Sequence, residues 1–217
     1  MEIQHYIDHT YLKPYATQAD IHKLCEEALA YSFRSVCVSG CHITSALEKL
    51  KGTDITVCSV VGFPLGSNST KAKVAEAKDY VSKGAGEIDM VINIGWIKEA
   101  KFEQVRDEIR AIRDVVGPNL LKVILETCYL TDMETQKACE LSIEAGADYV
   151  KTSTGFGARG ADIKDVKLIK SIVGDQIGIK AAGGIRNKQA ALSFIAAGAS
   201  RIGTSSGVAI MKTSDDI

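Results

Sequence analysis

Three charged residues lie inside segments that otherwise have the composition of buried β-strands. They are Asp89 in "EIDMVINIG", Lys151 in "YVKTSTGF" and Lys180 in "IGIKAAGGI". A single lysine near a strand end can extend its ammonium group into solvent. An unpaired buried charge is costly, however, so three charges in neighbouring apolar segments favour a cluster whose members compensate one another.

Two lysines and one carboxylate at a single site can perform Schiff-base chemistry. Desolvation and a second cation nearby both lower the pKa of a lysine and release its amine as a nucleophile. The iminium that this amine forms with an aldehyde is an electron sink that makes the neighbouring carbon acidic. A carboxylate can then relay protons to hydroxyl groups and water. We therefore predict an aldolase that uses no metal and no other cofactor.

The elements that must position these residues form a regular alternation of strands and helices. Eight apolar segments start roughly every 28 residues, which is the size of a βα unit. Most are continuous β-branched runs, as expected of strands that are covered on both faces. The segments are "QHYID", "SVCVSG", "ITVCSVVGF", "EIDMVINIG", "LLKVILET", "YVKTSTG", "IGIKAAGG" and "RIGTSS".

The pattern predicts an α/β fold of the closed (β/α)8 TIM-barrel type, with residues 1–217 as a single domain. The alternative is an open doubly wound sheet, which normally carries a glycine-rich fingerprint after its first strand. The segment "HTYLKP" at that place is not such a fingerprint, so the barrel is favoured. In a barrel, Asp89, Lys151 and Lys180 would meet at the C-terminal mouth.

The helices between the strands have recognisable ends. Thr17 is a candidate N-cap, and Thr131 to Glu134 has the spacing of a capping box. Gly84, Gly146 and Gly198 occupy equivalent places in "KGAGEIDMV", "EAGADYVKT" and "AAGASRIGT". Each of these glycines is predicted to end a helix in left-handed geometry.

Composition argues against several classes of function. The chain is 46% hydrophobic and 24% charged, and its formal net charge is −1 with both signs scattered, so no basic stripe indicates nucleic acid. The apolar runs are too short to span a bilayer. The first residues lack a basic leader and an apolar signal core, so we expect a cytoplasmic protein.

The six cysteines are predicted to be reduced thiols. Cys25 and Cys139 fall on apolar helix faces, and Cys37 and Cys58 fall within strands. The segment "CVSGCH" places Cys37 near Cys41 and His42, but no second cluster supplies the remaining ligands of a zinc site. We therefore predict no metal there.

Seven motifs together identify a family resemblance. The segments "IDHTYL", "GFPLG", "EIDMVINIG", "ILET", "YVKTSTGF", "KAAGGIR" and "GTSSG" occur in order from Asp8 to Gly207. They resemble the deoxyribose-phosphate aldolase family, whose members are class I aldolases of (β/α)8 fold. The resemblance implies reversible cleavage of 2-deoxy-D-ribose 5-phosphate to D-glyceraldehyde 3-phosphate and acetaldehyde.

The same resemblance implies roles for individual residues. Lys151 would form the Schiff base, Lys180 would be the second lysine that perturbs it, and Asp89 would belong to the proton relay. Asp8 and Cys37 match positions that line the family's substrate pocket. Some relatives carry a lysine directly after "STG" that reaches the substrate phosphate, and this chain has Phe156 there.

The loops after strands seven and eight, "AAGGIR" and "GTSSG", are predicted to bind the phosphate. This is the usual phosphate site of the barrel architecture, and glycines let the backbone approach an anion closely. A short helix after the second loop would add a favourable N-terminus. The predicted substrate-binding residues are Asp8, Cys37, Thr152, Gly155, Gly183, Gly184, Arg186, Gly203, Ser205 and Ser206.

Some alternatives remain open at the level of sequence. A transaldolase-like phosphosugar aldolase or a phosphosugar-binding barrel without turnover would share the fold, although the lysine pair argues against both. The predicted partners are small aldehydes and phosphosugars, with a possible homodimer or homotetramer. His5 and His9 are expected at surface or strand-end positions without a role. Trp96 and Tyr129 could line the mouth or pack in the core.

Overall fold

The computed structural model describes residues 2–212, and its eight parallel strands form a closed barrel in which each strand pairs with its neighbours in sequence order. The predicted (β/α)8 architecture is therefore confirmed. The strands are β1 (Ile7–Tyr11), β2 (Ser35–Val38), β3 (Thr56–Val61), β4 (Glu87–Val91), β5 (Leu120–Ile124), β6 (Tyr149–Lys151), β7 (Gly178–Ala182) and β8 (Arg201–Thr204).

Helices follow the strands around the outside of the barrel. The α-helices are α1 (Gln18–Tyr31), α2 (Ile43–Lys49), α3 (Thr70–Ser82), α4 (Ile94–Lys98), α5 (Phe102–Val116), α6 (Asp132–Glu144), α7 (Ile163–Val173), α8 (Lys188–Ala196) and α9 (Gly207–Met211). Between residues 2 and 212, no helix is both long and apolar enough to cross a membrane.

The predicted helix ends are present. Thr17 and Thr131 each form a complete capping box with the acidic residue three positions later. Gly84, Gly146 and Gly198 follow their helices with φ of 103°, 81° and 116°, a backbone geometry that a residue with a Cβ rarely adopts. These glycines let the chain leave a helix and turn directly into the next strand.

Side chains alternate between the two faces of every strand. Outward residues such as Val36, Ile88, Val123 and Val150 belong to one large apolar core that lies between the barrel and its helices. The main hydrophobic burial is therefore between the strands and the helix layer. Side chains that point into the barrel can be polar or charged without loss of this core.

The first strand differs from its prediction. The segment "QHYID" was expected to be extended, but Ile3–Tyr6 is a 3-10 helix and β1 begins at Ile7. His9, expected at the surface or a strand end, lies in the middle of β1 with 1% exposure, and its Nε2 is 2.7 Å from Glu27 Oε2 on α1. Burial lowers the pKa of His9. The histidine is therefore part of the contact between β1 and α1.

Candidate active site

The inward face of the barrel carries a stack of charged side chains. Register partners on neighbouring parallel strands point to the same side of a sheet. Lys151 pairs with Lys180, and Lys180 pairs with Arg201, so these three cations all point into the barrel from adjacent strands. Asp89 pairs with Lys122 in the same way. The interior of a barrel is filled by layers of side chains from alternate strands, and here several of those layers are ionic.

The deepest layer contains Glu87 and Arg201. Arg201 Nη2 donates to Glu87 Oε1 at 2.9 Å, and the guanidinium lies 5.6 Å from the centre of the Tyr149 ring. Arg201 also pairs with Asp8 in the layer above. This layer forms a fixed charged floor under the two lysines that were predicted to be catalytic.

The middle layer contains Asp8, Lys122 and Lys180. Lys180 Nζ is 2.6 Å from Asp8 Oδ2, and Lys122 donates to Glu87 below. Both lysines are completely buried. Burial favours the neutral amine of Lys180, but the negative charges of Asp8 and Asp89 outweigh burial and raise its pKa. Lys180 is therefore protonated in the resting site at neutral pH.

Asp89 joins the middle layer to Lys151. Its Oδ1 accepts from Lys122 Nζ at 2.8 Å and from the Cys58 thiol at 3.1 Å. Its Oδ2 accepts from both Lys151 Nζ and Lys180 Nζ, each at 2.8 Å. Burial would raise the pKa of Asp89, but Lys122, Lys151 and Lys180 outweigh it and hold the pKa well below its usual range. The carboxylate is ionised, and it connects the two predicted catalytic lysines through one oxygen.

Lys151 lies closest to the mouth among the interior lysines. Its side chain is 3% exposed, whereas Lys122 and Lys180 have no exposure. Its strand ends at Lys151 itself, and the loop that follows carries the rest of the "TSTG" motif. Lys151 is thus the interior amine that a substrate entering from the C-terminal end would meet first.

Cys37 lies on β2 inside the barrel, beside Cys58 on β3. A hydrogen bond with Cys58 lowers the pKa of the Cys37 thiol, whereas burial raises the pKa of Cys58. Cys41, by contrast, is exposed, and all six cysteines are free. Within residues 2–212, Cys37, Cys58 and Asp89 form the one group of potential ligands close enough to share an ion. Three ammonium groups already contact Asp89, and they would oppose a cation there.

Thr152 lies directly after β6, and its predicted contact with substrate stays a prediction. It is completely buried, its hydroxyl donates to Ala182 O at 3.3 Å, and the same oxygen accepts from Ala182 N at 3.1 Å. These bonds tie the end of β6 to β7. Thr152 therefore fixes the spacing between the strands that carry Lys151 and Lys180.

Gly203 is required for a reason that the sequence did not reveal. A Cβ on Gly203 would lie 2.9 Å from Lys180 Cε and 2.9 Å from Ala182 Cβ. The glycine therefore provides the space in which the Lys180 side chain crosses the barrel. Close approach of its backbone to a phosphate stays a prediction.

The loops after β6 and β7 pack tightly on each other at the mouth. Gly155, Gly183 and Gly184 have φ of 87°, 91° and 80°. A Cβ on Gly160 would lie 2.2 Å from Gly183 O, and Ala161 N donates to that oxygen at 3.0 Å. Gly184 faces open space. The two loops thus form a compact glycine-lined rim.

The remaining predicted phosphate residues border this rim. Arg186 and Ser205 are exposed, and Ser206 is half-buried just before α9. Ser206 N donates to Thr204 Oγ1 at 2.9 Å, and that hydroxyl donates to Ile185 O at 2.6 Å. These bonds hold the loops after β7 and β8 together.

Trp96 and Tyr129, each predicted either to line the mouth or to pack in the core, lie in different environments. Trp96 lies in α4, half-buried and packed against the main core. Tyr129 lies in a 3-10 helix after β5 and is 47% exposed. Trp96 is therefore a core residue, and Tyr129 lies at the surface on the side of the mouth.

Sequence reasoning missed four buried charged residues around the site. Glu87, Lys122 and Arg201 belong to the lower layers, and Glu126 holds the loop after β6 through the Thr154 backbone and hydroxyl. The signal for Glu87 was its spacing of two residues from Asp89, which places both on the same face of β4. The signal for Lys122 was a different one, a single charged residue within the otherwise apolar strand β5.

Comparisons with known proteins agree with this geometry. Residues 3–213 match the model of the DeoC/LacD family aldolases. Deoxyribose-phosphate aldolase from Streptococcus equi subsp. zooepidemicus is 54% identical over 212 residues, covering 98% of this chain and 96% of the relative. The enzyme of the same name from Finegoldia magna is 53% identical, covering 98% of this chain and 100% of the relative.

A solved structure gives the same result. The tetrameric deoxyribose phosphate aldolase from Aeropyrum pernix superposes with a TM-score of 0.90 at 34% identity, covering 96% of this chain and 88% of that one. The family match over nearly the whole chain, together with full-length relatives above half identity, establishes that the protein belongs to the DeoC/LacD aldolase family.

Proposed function

We propose that this protein is a class I aldolase that reversibly cleaves 2-deoxy-D-ribose 5-phosphate to D-glyceraldehyde 3-phosphate and acetaldehyde. The observation that carries the proposal is the single Asp89 oxygen that contacts both Lys151 and Lys180 at 2.8 Å. The names of the full-length relatives support the same substrate.

The charge balance of the barrel interior supports Lys151 as the nucleophile. The interior contains three carboxylates and four cationic groups. The carboxylates belong to Asp8, Glu87 and Asp89, and the cations are Lys122, Lys151, Lys180 and Arg201. Loss of one proton would balance these charges, and a buried site disfavours an excess of one sign. The ammonium group of Lys180 contacts the carboxylates of Asp8 and Asp89, and that of Lys122 contacts those of Glu87 and Asp89 and lies 3.9 Å from Asp8. Lys151 is held by Asp89 and lies at the mouth, so it is the group that can release its proton to solvent.

In the proposed reaction the neutral amine of Lys151 attacks the aldehyde carbon of the open-chain sugar. The resulting carbinolamine loses water to form an iminium. Removal of the proton from the sugar hydroxyl at C3 then breaks the C2–C3 bond, and the electron pair of that bond forms an enamine. Glyceraldehyde 3-phosphate leaves, the enamine carbon takes up a proton, and water hydrolyses the new iminium to acetaldehyde and free Lys151. We assign the proton transfers to Asp89 and Lys180, because both contact the reacting amine or its carboxylate partner.

Direct measurement of cleavage tests this proposal. We expect 2-deoxy-D-ribose 5-phosphate to yield acetaldehyde and glyceraldehyde 3-phosphate in equal amounts. Coupled dehydrogenase assays would measure both products. Ketose phosphates with a three-carbon donor unit should react far more slowly, because the enzyme is proposed to activate a two-carbon aldehyde. Faster cleavage of the ketose would indicate a transaldolase-like enzyme. Binding of the sugar phosphate without any cleavage would indicate a binding protein.

We assign the phosphate to the rim formed by the loops after β6, β7 and β8, with Gly155, Gly183, Gly184, Ser205 and Ser206. Arg186 is an exposed cation at that rim, and the other exposed arginine of these loops, Arg159, is paired with Asp165 at 2.6 Å. Phe156 takes the position at which some relatives carry a lysine. The charged contribution to phosphate binding would therefore come mainly from Arg186, with backbone N–H groups completing the site.

Replacing Phe156 with lysine should increase the preference for deoxyribose 5-phosphate over deoxyribose. A charged hydrogen bond contributes about 1.5–3 kcal/mol, so the ratio of kcat/KM for the two sugars should rise by about tenfold or more. Phe156→Met is the matched control, because it removes the ring without adding charge. An unchanged ratio in Phe156→Lys would mean that the phosphate binds elsewhere.

Replacing Ser205 with aspartate should have the opposite effect. A carboxylate at this exposed position would repel the phosphate and remove a hydroxyl donor, so the preference for the phosphorylated sugar should fall. Ser205→Ala separates the two causes, because it removes the donor alone. If Ser205→Asp keeps the wild-type ratio of kcat/KM for the two sugars, Ser205 does not border the phosphate.

We further propose that the protein acts in the cytoplasm as a homodimer or homotetramer. Its six free thiols support a reducing compartment. The tetrameric state of the Aeropyrum pernix enzyme supports an oligomer. Light scattering after size-exclusion chromatography would test the second statement, and a monomer at micromolar concentration would contradict it.

A further inference from the structure

Glu126 is a buried acidic residue just after the C-terminal end of β5, on the side of the barrel mouth. Backbone hydrogen bonds between the two chain segments continue on both sides of it. Leu125 N donates to Lys151 O, and Thr127 N donates to Thr152 O, each at 2.9 Å. Glu126 therefore lies directly beside the point at which the chain leaves Lys151 and enters the loop after β6.

The backbone of Glu126 has an unusual conformation. Within residues 2–212, Ser32, Ala100 and Glu126 are the residues other than glycine with a positive φ, and each has a φ of 54°. Ser32 and Ala100 follow the helices α1 and α4, and left-handed geometry is common at helix ends. Glu126 instead follows a strand. Residues held in this conformation away from helix ends are concentrated at functional sites.

The Glu126 carboxylate organises a chain of hydrogen bonds in the loop after β6. Thr154 N donates to both of its oxygens, at 3.3 Å and 3.2 Å, and the Thr154 hydroxyl donates to Oε2. Because that hydroxyl gives its hydrogen to the carboxylate, its oxygen can accept from Phe156 N, at 3.0 Å. Gly155 lies between two residues whose N–H groups are bound, so the backbone is fixed on both sides of it.

The same loop packs directly on the carboxylate at Gly157. A Cβ on Gly157 would lie 2.8 Å from Cys128 Sγ and 3.1 Å from Glu126 Oε1. The Cys128 thiol itself lies 3.8 Å from Oε1. Glu126 thus contacts the loop at Thr154 and at Gly157, and the two exposed residues between these contacts are held from both sides.

We propose that Glu126 is a positioning residue that fixes the loop after β6 in the shape that recognises the phosphorylated end of the substrate. The proposal rests on the proposed function, in which Gly155 borders the phosphate. Glu126 is only 2% exposed, so it acts through Thr154 and does not contact the substrate itself. A loop that is already ordered by such bonds binds a ligand without first losing conformational freedom.

Replacing Glu126 with glutamine tests this role. The carboxamide keeps the shape of the carboxylate but puts a donor group in place of one acceptor oxygen, so the bonds to Thr154 weaken. We expect the ratio of kcat/KM for deoxyribose 5-phosphate over deoxyribose to fall by about five- to tenfold, mainly through a higher KM for the phosphorylated sugar. Formation of the borohydride-reduced acetaldehyde adduct on Lys151 should stay at the wild-type level, because acetaldehyde carries no phosphate.

Two variants of Thr154 test the same chain of hydrogen bonds without changing Glu126. Thr154→Val removes the hydroxyl at nearly constant volume, so Phe156 N loses its acceptor and the ratio should fall by a similar factor. Thr154→Ser keeps the hydroxyl and should retain most of the wild-type ratio. A purely structural role would lower kcat/KM for both sugars equally and leave their ratio unchanged.

Glu108→Gln is the matched control, because Glu108 is also a buried carboxylate but pairs with Lys73 outside the barrel interior. It should lower the thermal unfolding temperature without changing the ratio. A wild-type ratio in Glu126→Gln or in Thr154→Val, with the adduct intact, overturns this inference alone. Thr154→Val decides the matter if Glu126→Gln does not fold. Absence of both the adduct and cleavage in the wild-type enzyme overturns the proposed function, and the inference with it.

Discussion

Replacing Lys180 with leucine is expected to lower turnover at neutral pH by on the order of 10²–10³-fold and to shift the pH optimum upward. Lys180 is a cation in the resting site, because Asp8 and Asp89 raise its pKa despite complete burial. It shares Asp89 Oδ2 with Lys151 at equal distances of 2.8 Å. Without Lys180, Asp89 would stabilise the ammonium form of Lys151 more strongly. The repulsion between two cations on Asp89 Oδ2, which favours the neutral amine of Lys151, would also be lost.

The pH dependence distinguishes this effect from simple loss of structure. Removal of a like charge favours the protonated amine, so trapping of the acetaldehyde adduct should recover as the pH rises. Lys73→Met is a matched control, because Lys73 is also completely buried and pairs with Glu108 at 2.8 Å outside the barrel interior. It should lower the thermal unfolding temperature without moving the pH profile. A Lys180→Leu enzyme with the wild-type pH profile would contradict the coupling of the two lysines.

Replacing Asp89 with asparagine is expected to reduce turnover by about 10²–10⁴-fold, the usual range for loss of a proton-transfer group. The amide has the shape of the carboxylate but is not an effective proton acceptor. Three lysines would also lose a shared counter-charge, since Asp89 contacts Lys122, Lys151 and Lys180. Removing one partner of a buried ion pair costs about 3–5 kcal/mol of stability, so the variant should also unfold at a lower temperature.

Glu87→Gln is the control that separates the two effects of Asp89→Asn. Glu87 is equally buried and binds Lys122 and Arg201, but it lies two residues below Asp89 on β4. It should lose comparable stability while retaining most of its turnover. Steady-state kinetics and thermal unfolding of both variants measure this contrast. If both variants lose turnover equally, Asp89 acts through the stability of the interior and has no separate role in proton transfer.

The architecture could be predicted from sequence because its signals are local. Alternating apolar segments and helix ends at Thr17, Thr131 and the three repeated glycines all lie within short stretches. The predicted start of β1 was wrong because the four residues Ile3–Tyr6 are too few for periodicity to separate a helical turn from a strand. The predicted surface or strand-end position of His9 was wrong. A polar residue can be buried on the helix-facing side of a strand when another element supplies its hydrogen-bond partner, here Glu27.

The charged interior was only partly predictable. Asp89, Lys151 and Lys180 stood out against apolar neighbours, but Lys122 and Arg201 were not singled out. Their partners come from strands far apart in sequence, as in the contact between Arg201 and Asp8 across 193 positions. Local sequence does not give the register that places such residues in one layer. The function of Gly203 as space for Lys180 depends on the same register and was missed for the same reason.

The most direct test of the central claim is borohydride reduction in the presence of acetaldehyde, followed by peptide mass spectrometry. The proposed mechanism predicts one reduced two-carbon unit per chain, located on Lys151 and absent from Lys151→Arg. The contacts of Lys180 with Asp8 and Asp89 predict that it stays unmodified. An adduct confined to Lys180 would reverse the two roles, and the absence of any specific lysine adduct would contradict the Schiff-base mechanism.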